Sequence, residues 1–180
     1  MSPTLGQHLR ERGLSRRGLL QYAGLMSALL ALPAGAAAQM AAGLARARRQ
    51  SLIWLSFQEC TGCTESLTRS PSPSLEDLIF DFVSLDYHHT LQAASGHAAE
   101  AARHQAMREN AGRYLVIVDG SVPTGAGGVY STVAGRTNLD ILAETLEHAA
   151  AVVAVGSCAA FGGLPGAEPN PTGAVAISAL

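Results

Sequence analysis

Short apolar runs separated by polar, helix-forming stretches set the rhythm of this chain. Residues 52–57, 79–85, 114–118 and 151–155 read as strands. The run at 114–118 is unbroken in apolar character, as expected of a strand covered on both faces. Between the runs lie three helical segments. Residues 64–69 start with Thr64-Glu65-Ser66, which supply capping groups and a carboxylate for the first turn. Residues 96–110 are Ala-rich and end at Asn110-Ala111-Gly112. Residues 138–150 carry Asn138 as the expected N-cap and an apolar stripe of Ile141, Leu142, Thr145, Leu146 and Ala149. Strand–helix alternation of this kind predicts an α/β three-layer sandwich around a mostly parallel sheet. Residues 174–180 read as the start of an apolar helix that lacks a stop signal, so the domain is expected to be truncated.

The first fifty residues follow another pattern. Ser15-Arg16-Arg17-Gly18-Leu19-Leu20 resembles a twin-arginine export signal, with Leu19 and Gln21 where Phe and Lys are usual. Residues 19–32 form an apolar stretch, shorter than the roughly 20 residues of a membrane span. Pro33 and the tract Ala34-Gly35-Ala36-Ala37-Ala38 supply an A-x-A type cleavage site. The expected organisation is a signal peptide over residues 1–38, an Ala- and Arg-rich, weakly helical linker over 39–50, and one domain over 51–180.

Charge sharpens that division. Residues 51–180 hold five arginines against thirteen carboxylates, a net of −8. The preceding fifty hold seven arginines and one carboxylate, a net of +6. An acidic body argues against nucleic acid as a partner. Across all 180 residues, 48% are hydrophobic and 14% charged, a core-forming composition that excludes disorder.

The candidate chemistry lies in three cysteines. Cys60 and Cys63 occupy Cys60-Thr61-Gly62-Cys63 just after the first apolar run, and Cys158 follows the last, in Gly156-Ser157-Cys158. In an open parallel sheet the loops beyond the strands' carboxyl ends converge on one edge, so these distant thiols can meet. A cubane cluster takes a thiolate at each iron. Spacing alone supports a thioredoxin-like dithiol equally well, with structural zinc as a third reading that lacks a second ligand pair.

The residues around the cysteines separate these readings. Glu59-Cys60-Thr61-Gly62-Cys63-Thr64-Glu65-Ser66-Leu67 with Arg69 resembles the proximal-cluster motif of the small subunit of [NiFe] hydrogenases. The resemblance continues through Leu85-Asp86-Tyr87-His88 with Thr90-Leu91, then Gly96-His97-Ala98. It goes on with Pro123, Gly125, Gly127, Gly128 and Gly135-Arg136. Gly156-Ser157-Cys158-Ala159 with Phe161-Gly162-Gly163, and Pro169-Asn170-Pro171-Thr172-Gly173, complete it. The resemblance implies a flavodoxin-like domain whose Cys60, Cys63 and Cys158 are three ligands of a proximal [4Fe-4S] cluster, the fourth lying outside this chain. It implies a large-subunit partner carrying the nickel–iron centre, with a membrane cytochrome b or another protein as electron acceptor. The activity implied is dihydrogen oxidation, with this chain as the electron relay and no catalytic residue of its own. The implied location is the periplasm, reached by the twin-arginine pathway, with membrane association through the complex. An exported CxxC thiol–disulfide oxidoreductase is the alternative.

The resemblance also bears on oxygen. Oxygen-tolerant members of the family carry extra cysteines where this chain has Gly62 and Gly163, so an ordinary, oxygen-sensitive cluster is expected. Glu65 is expected to stabilise a helix start, and His88, His89 and His97 to pack or to face a partner, His88 through a buried hydrogen bond. The glycine-rich loop at 120–128 lacks the Lys-Ser/Thr of a phosphate loop and is expected to approach the cluster or the partner through its backbone.

Overall fold

The computed structural model of the chain describes residues 4–11, 13–33, 35–47 and 49–180. Ala34 of the expected cleavage tract and Arg48 of the expected linker lie outside them. In chain order the elements are α1 (Leu5–Glu11), α2 (Arg16–Leu29), α3 (Ala36–Arg46), β1 (Gln50–Ser56), α4 (Gly62–Thr68), α5 (Leu75–Asp77), β2 (Val83–His88) and α6 (Gly96–Glu109). There follow β3 (Leu115–Asp119), β4 (Val122–Pro123), β5 (Thr132–Val133), β6 (Arg136–Thr137), α7 (Asn138–Leu146), β7 (Ala151–Val155), α8 (Gly156–Phe161) and β8 (Ala174–Val175). They group into two compact units, the residues up to Arg49 with Glu76–Phe82, and Gln50–Leu75 with Val83–Leu180.

In the first unit, Ser15 caps α2 by accepting a hydrogen bond from the Gly18 N–H at 3.1 Å, which puts Arg16 and Arg17 in the opening turn. Small residues let α2 and α3 approach. Ala23 and Ala41 are buried, and the Ser27 hydroxyl reaches Met40 Sδ at 3.4 Å. Leu20, Leu25, Leu29 and Leu30 remain exposed. Among the described residues no helix is long and apolar enough to cross a membrane.

The second unit is built on four parallel strands in the order β2-β1-β3-β7. The chain starts in the middle of the sheet, moves to one edge, then crosses back, so the direction of winding switches between β1 and β3. That is the flavodoxin-like arrangement. The helices α6 and α7 cover one face, where Ile53, Leu55, Tyr87, Val116 and Val118 pack with Ala99, Ala106, Ile141 and Leu142. Parallel register places Trp54 beside His88 on the opposite face, the face that α4 covers through Thr64. β7 is an edge strand, with Val152 42% and Val153 46% exposed.

A buried cation ties α6 to α7. Arg103, with 0% exposure, pairs with Glu100 at 3.0 Å and Glu144 at 2.9 Å and donates to the Thr145 hydroxyl at 2.8 Å. Arg136 adds a second cation on Glu144 at 2.6 Å. Burial alone would raise the Glu144 carboxyl, but hydrogen bonds from Arg103 and Arg136 outweigh it and hold the group down at about 2.

Four sequence expectations need correction. The second strand begins at Val83, because Leu78–Phe82 forms a π turn whose carbonyls at Ile79 and Phe80 accept from the Arg49 guanidinium. The N-cap of α7 is Thr137, whose hydroxyl accepts from the Asp140 N–H at 3.1 Å, while Asn138 is buried and donates to Ser131 Oγ at 2.7 Å. The expected helix over 174–180 is a short strand, β8, paired antiparallel with β4 and followed by a 3₁₀ turn over Ile177–Ala179. The Asn170 amide occupies both backbone groups of Ala174, accepting from its N–H at 2.7 Å and donating to its carbonyl at 3.0 Å. The helix expected from Thr64 starts two residues earlier, at Gly62, with Thr61 as an N-cap whose hydroxyl donates to Glu59 Oε1 at 3.2 Å and caps no helix N–H.

Candidate metal centre

The three cysteines leave two non-adjacent strands, and β3 runs between them. Cys60 stands in the turn after β1, Cys63 in the first turn of α4, and Cys158 in α8 directly beyond β7. The two loops meet. The Cys63 thiol points to the Val155 carbonyl at the end of β7, 3.8 Å away. Gly156, at φ +76°, leaves the space that the Cys63 sulfur fills, since a Cβ at position 156 would collide with it. Gly163, at φ +53°, does the same for Cys158, whose Sγ lies 2.6 Å from where a Cβ would stand. All three cysteines are free thiols, Cys60 exposed and the other two half-buried.

The exits of β1 and β3 are zipped together beyond the sheet. Phe57 N–H donates to the Asp119 carbonyl at 2.8 Å, and Gln58 and Ser121 exchange backbone hydrogen bonds at 3.1 and 3.0 Å. This places Asp119, the last residue of β3, at the centre of the edge. Asp119 is buried, its Oδ2 has no hydrogen-bond partner, and burial raises its carboxyl above the ordinary range, with the neighbouring Cys63 thiol acting against that rise. Burial pushes the Cys63 thiol up to about 11, reinforced by the hydrogen bond and charge of Asp119 and by the charges of Cys60 and Cys158. Glu59 is also raised, by burial and then by Asp119, and its Oε2 is buried without a partner. Acidic groups are therefore crowded together, Asp119 raising both Glu59 and Cys63.

A reactive dithiol needs the reverse, an electropositive setting that stabilises a thiolate. Here the crowded anions fit a positively charged metal group. Among the described residues no three His, Cys, Asp or Glu side chains converge closely enough to hold a single ion. Thiolates spread over the separate irons of a cluster need no such convergence. Asp119 was hidden in the sequence just ahead of the glycine-rich loop. Its position at the carboxyl end of a buried strand was the available signal.

Around the edge, Phe161 and Leu164 are each 86% exposed just past Cys158. The glycine-rich loop makes its close approach to the chain's own backbone, with the Thr124 and Gly125 N–H groups donating to the Gly173 and Thr172 carbonyls at 3.1 and 2.9 Å. His88 is buried, His89 is half-buried and accepts from the Ser56 N–H at 3.2 Å, and His97 is exposed. Glu65 forms an exposed pair with Arg69 at 2.6 Å.

Comparison with known proteins places this arrangement in a family. Residues 60–179 match the family described as NADH ubiquinone oxidoreductase, 20 Kd subunit. The chain is 41% identical over 169 residues to the hydrogenase-2 small chain of Escherichia coli K12, covering 94% of this chain and 45% of that protein. It is 43% identical over 172 residues to the periplasmic [NiFe] hydrogenase small subunit 1 of Nitratidesulfovibrio vulgaris Hildenborough, covering 96% and 54%. Among solved structures, the [NiFeSe] hydrogenase of Desulfomicrobium baculatum superposes with a TM-score of 0.72 at 31% identity, over 73% of this chain and 50% of that one. The chain spans about half the length of the curated relatives it matches.

Proposed function

The chain belongs to the family of the 20 kDa subunit of NADH ubiquinone oxidoreductase, and on that premise we propose that it is the electron-relaying small subunit of an exported [NiFe] hydrogenase. The reaction served is the reversible oxidation of dihydrogen to two protons and two electrons, with the bond broken in a large subunit that carries the nickel–iron centre. The observation that carries the reading is the Cys63 thiol set among Cys60, Cys158 and Asp119 where the winding of the sheet switches.

Cys60, Cys63 and Cys158 are the residues that would hold a proximal [4Fe-4S] cluster. Such a cluster supplies one-electron storage between the partner's active centre and an acceptor such as a membrane cytochrome b. The chain's own part is to bind and to shield. Gly156 and Gly163 admit the two inner sulfurs, and the main-chain N–H groups at the start of α4 offset thiolate charge. Phe161 and Leu164 offer apolar anchors beside the cysteines, suited to a large-subunit interface. Gly62 and Gly163 in place of cysteine support an oxygen-sensitive cluster.

Residues 1–38 act in this reading as a twin-arginine export signal that delivers the folded, metal-loaded protein to the periplasm. The exposed leucines of α2 and its paired arginines behind Ser15 support that role. Replacing both Arg16 and Arg17 by Lys should retain the protein in the cytoplasm, as read by cell fractionation.

The central test is anaerobic purification after growth with iron and sulfide. The expected product binds both and absorbs broadly in the visible, and Cys158→Ser abolishes this. A colourless protein whose Cys60 and Cys63 cycle as a disulfide would overturn the reading in favour of a thiol–disulfide oxidoreductase.

A further inference from the structure

The turn that carries Cys60 and Cys63 gives α4 no side-chain cap. Thr61 sits at φ 65°, an uncommon conformation for a β-branched residue. Support comes from behind. Thr64, next to Cys63, is 3% exposed, and its hydroxyl lies 3.5 Å from Nε2 of His88 at the end of β2.

His88 is itself fixed on every side. It is 0% exposed and its ring packs against Trp54 with centroids 5.0 Å apart. Its Nδ1 accepts from the Thr90 N–H at 3.1 Å and the Leu91 N–H at 3.3 Å. Its backbone N–H donates to Gln92 Oε1 at 3.4 Å, and its carbonyl accepts from the Gln92 N–H at 3.2 Å. With Nδ1 occupied as an acceptor, the proton of the neutral ring belongs on Nε2, facing the Thr64 hydroxyl. Burial, with the neighbouring His89, keeps the ring neutral by lowering its pKa to about 4.

We propose that His88 is a positioning residue for the cysteine turn: its Nε2–H holds the Thr64 hydroxyl and so fixes where α4 places the Cys63 sulfur. The inference deepens the reading of Cys63 as a cluster ligand and rests on it only for the spectroscopic arm of its test. Three variants of the full chain serve, namely Thr64→Val, which removes the hydroxyl at constant shape, Thr64→Ser, which restores it, and His88→Phe. In the reduced, metal-free chain the readout is the iodoacetamide alkylation rate at Cys63, resolved by peptide mass spectrometry and set beside the melting temperature. Thr64→Val and His88→Phe should each speed Cys63 alkylation about fivefold through easier local opening, with Thr64→Ser within about twofold of the parent. In the iron-loaded chain, Thr64→Val should shift the g-values of the reduced cluster and Thr64→Ser should return them. If both disruptive variants alkylate within about twofold of the parent at unchanged melting temperature, the proposal is overturned. Should His88→Phe fail to fold, Thr64→Val against Thr64→Ser decides alone. A parent chain that takes up no iron would sink the cluster reading, while the alkylation rates would still decide the role of His88.

Discussion

On the α6–α7 side of the sheet, Arg103 is fully buried and surrounded by acceptors, with Glu100, Glu144 and Thr145 within 3.0 Å. At the carboxyl edge, Cys63 lies among Asp119, Cys60 and Cys158, groups that all push its proton on rather than off. The first cluster is electrically closed, each buried charge answered by an opposite one. The second is open, with Asp119 Oδ2 and Glu59 Oε2 left without partners. Buried polar groups in folded proteins are ordinarily satisfied, so an unsatisfied set gathered at a ligand-binding edge marks where something external completes it. Closed clusters hold the fold, and open ones wait for their counter-charge.

That contrast can be broken in several ways. The largest effect is expected from Arg103→Met, which strands Glu100, leaves Glu144 to Arg136 and should lower stability by about 3 kcal/mol. Urea unfolding would show a lower midpoint at unchanged slope, and an unchanged midpoint would deny the cluster its structural role. Next comes acid. His88 refuses a proton until about pH 4, whereas the unfolded chain accepts one near 6.5. Stability present above pH 6.5 should therefore fall by about 3 kcal/mol as pH drops to about 4, and His88→Asn should flatten that limb of an unfolding-against-pH curve.

Further down the scale, Glu144 is held at about 2. Its contribution is complete above the ordinary carboxylate value of 4.5 and is lost as pH falls toward 2, so Glu144→Gln should remove a smaller, lower-lying acid limb. At the open cluster, Cys158→Ser should change metal-free stability by less than about 1 kcal/mol while abolishing iron uptake, read by urea unfolding and iron analysis on one preparation. The exposed Glu65–Arg69 pair, with side chains 55% and 79% accessible, sets the floor. Arg69→Ala should shift stability by no more than about 0.5 kcal/mol in the same unfolding assay.

How much of this was legible in the chain depended on range. β7 and α6 could be read from local composition, because a run of small and β-branched residues or an Ala-rich stretch carries its own preference. The two cysteine loops were legible as strand exits. Asp119 was not, because its place beside Cys63 depends on β3 lying between β1 and β7, an order that no local pattern encodes. Thr64 read as a helix cap, yet its hydroxyl is turned to a histidine 24 positions later. At Ala174 an apolar stretch suggested a helix, and the Asn170 amide four residues earlier overrode it by taking both backbone groups. Arg103 counted only as one charge among five in the acidic body. Its burial emerges only once α6 and α7 share a face.

The uncovered flank of the sheet has a practical side. β7 presents half-exposed valines and a row of main-chain donors and acceptors along its outer margin. Margins of that kind template the addition of foreign strands. Preparations of this polypeptide should therefore tend to self-associate in a concentration-dependent way, and a single arginine in place of Val153 should restrain them by making the rim repel its own copies.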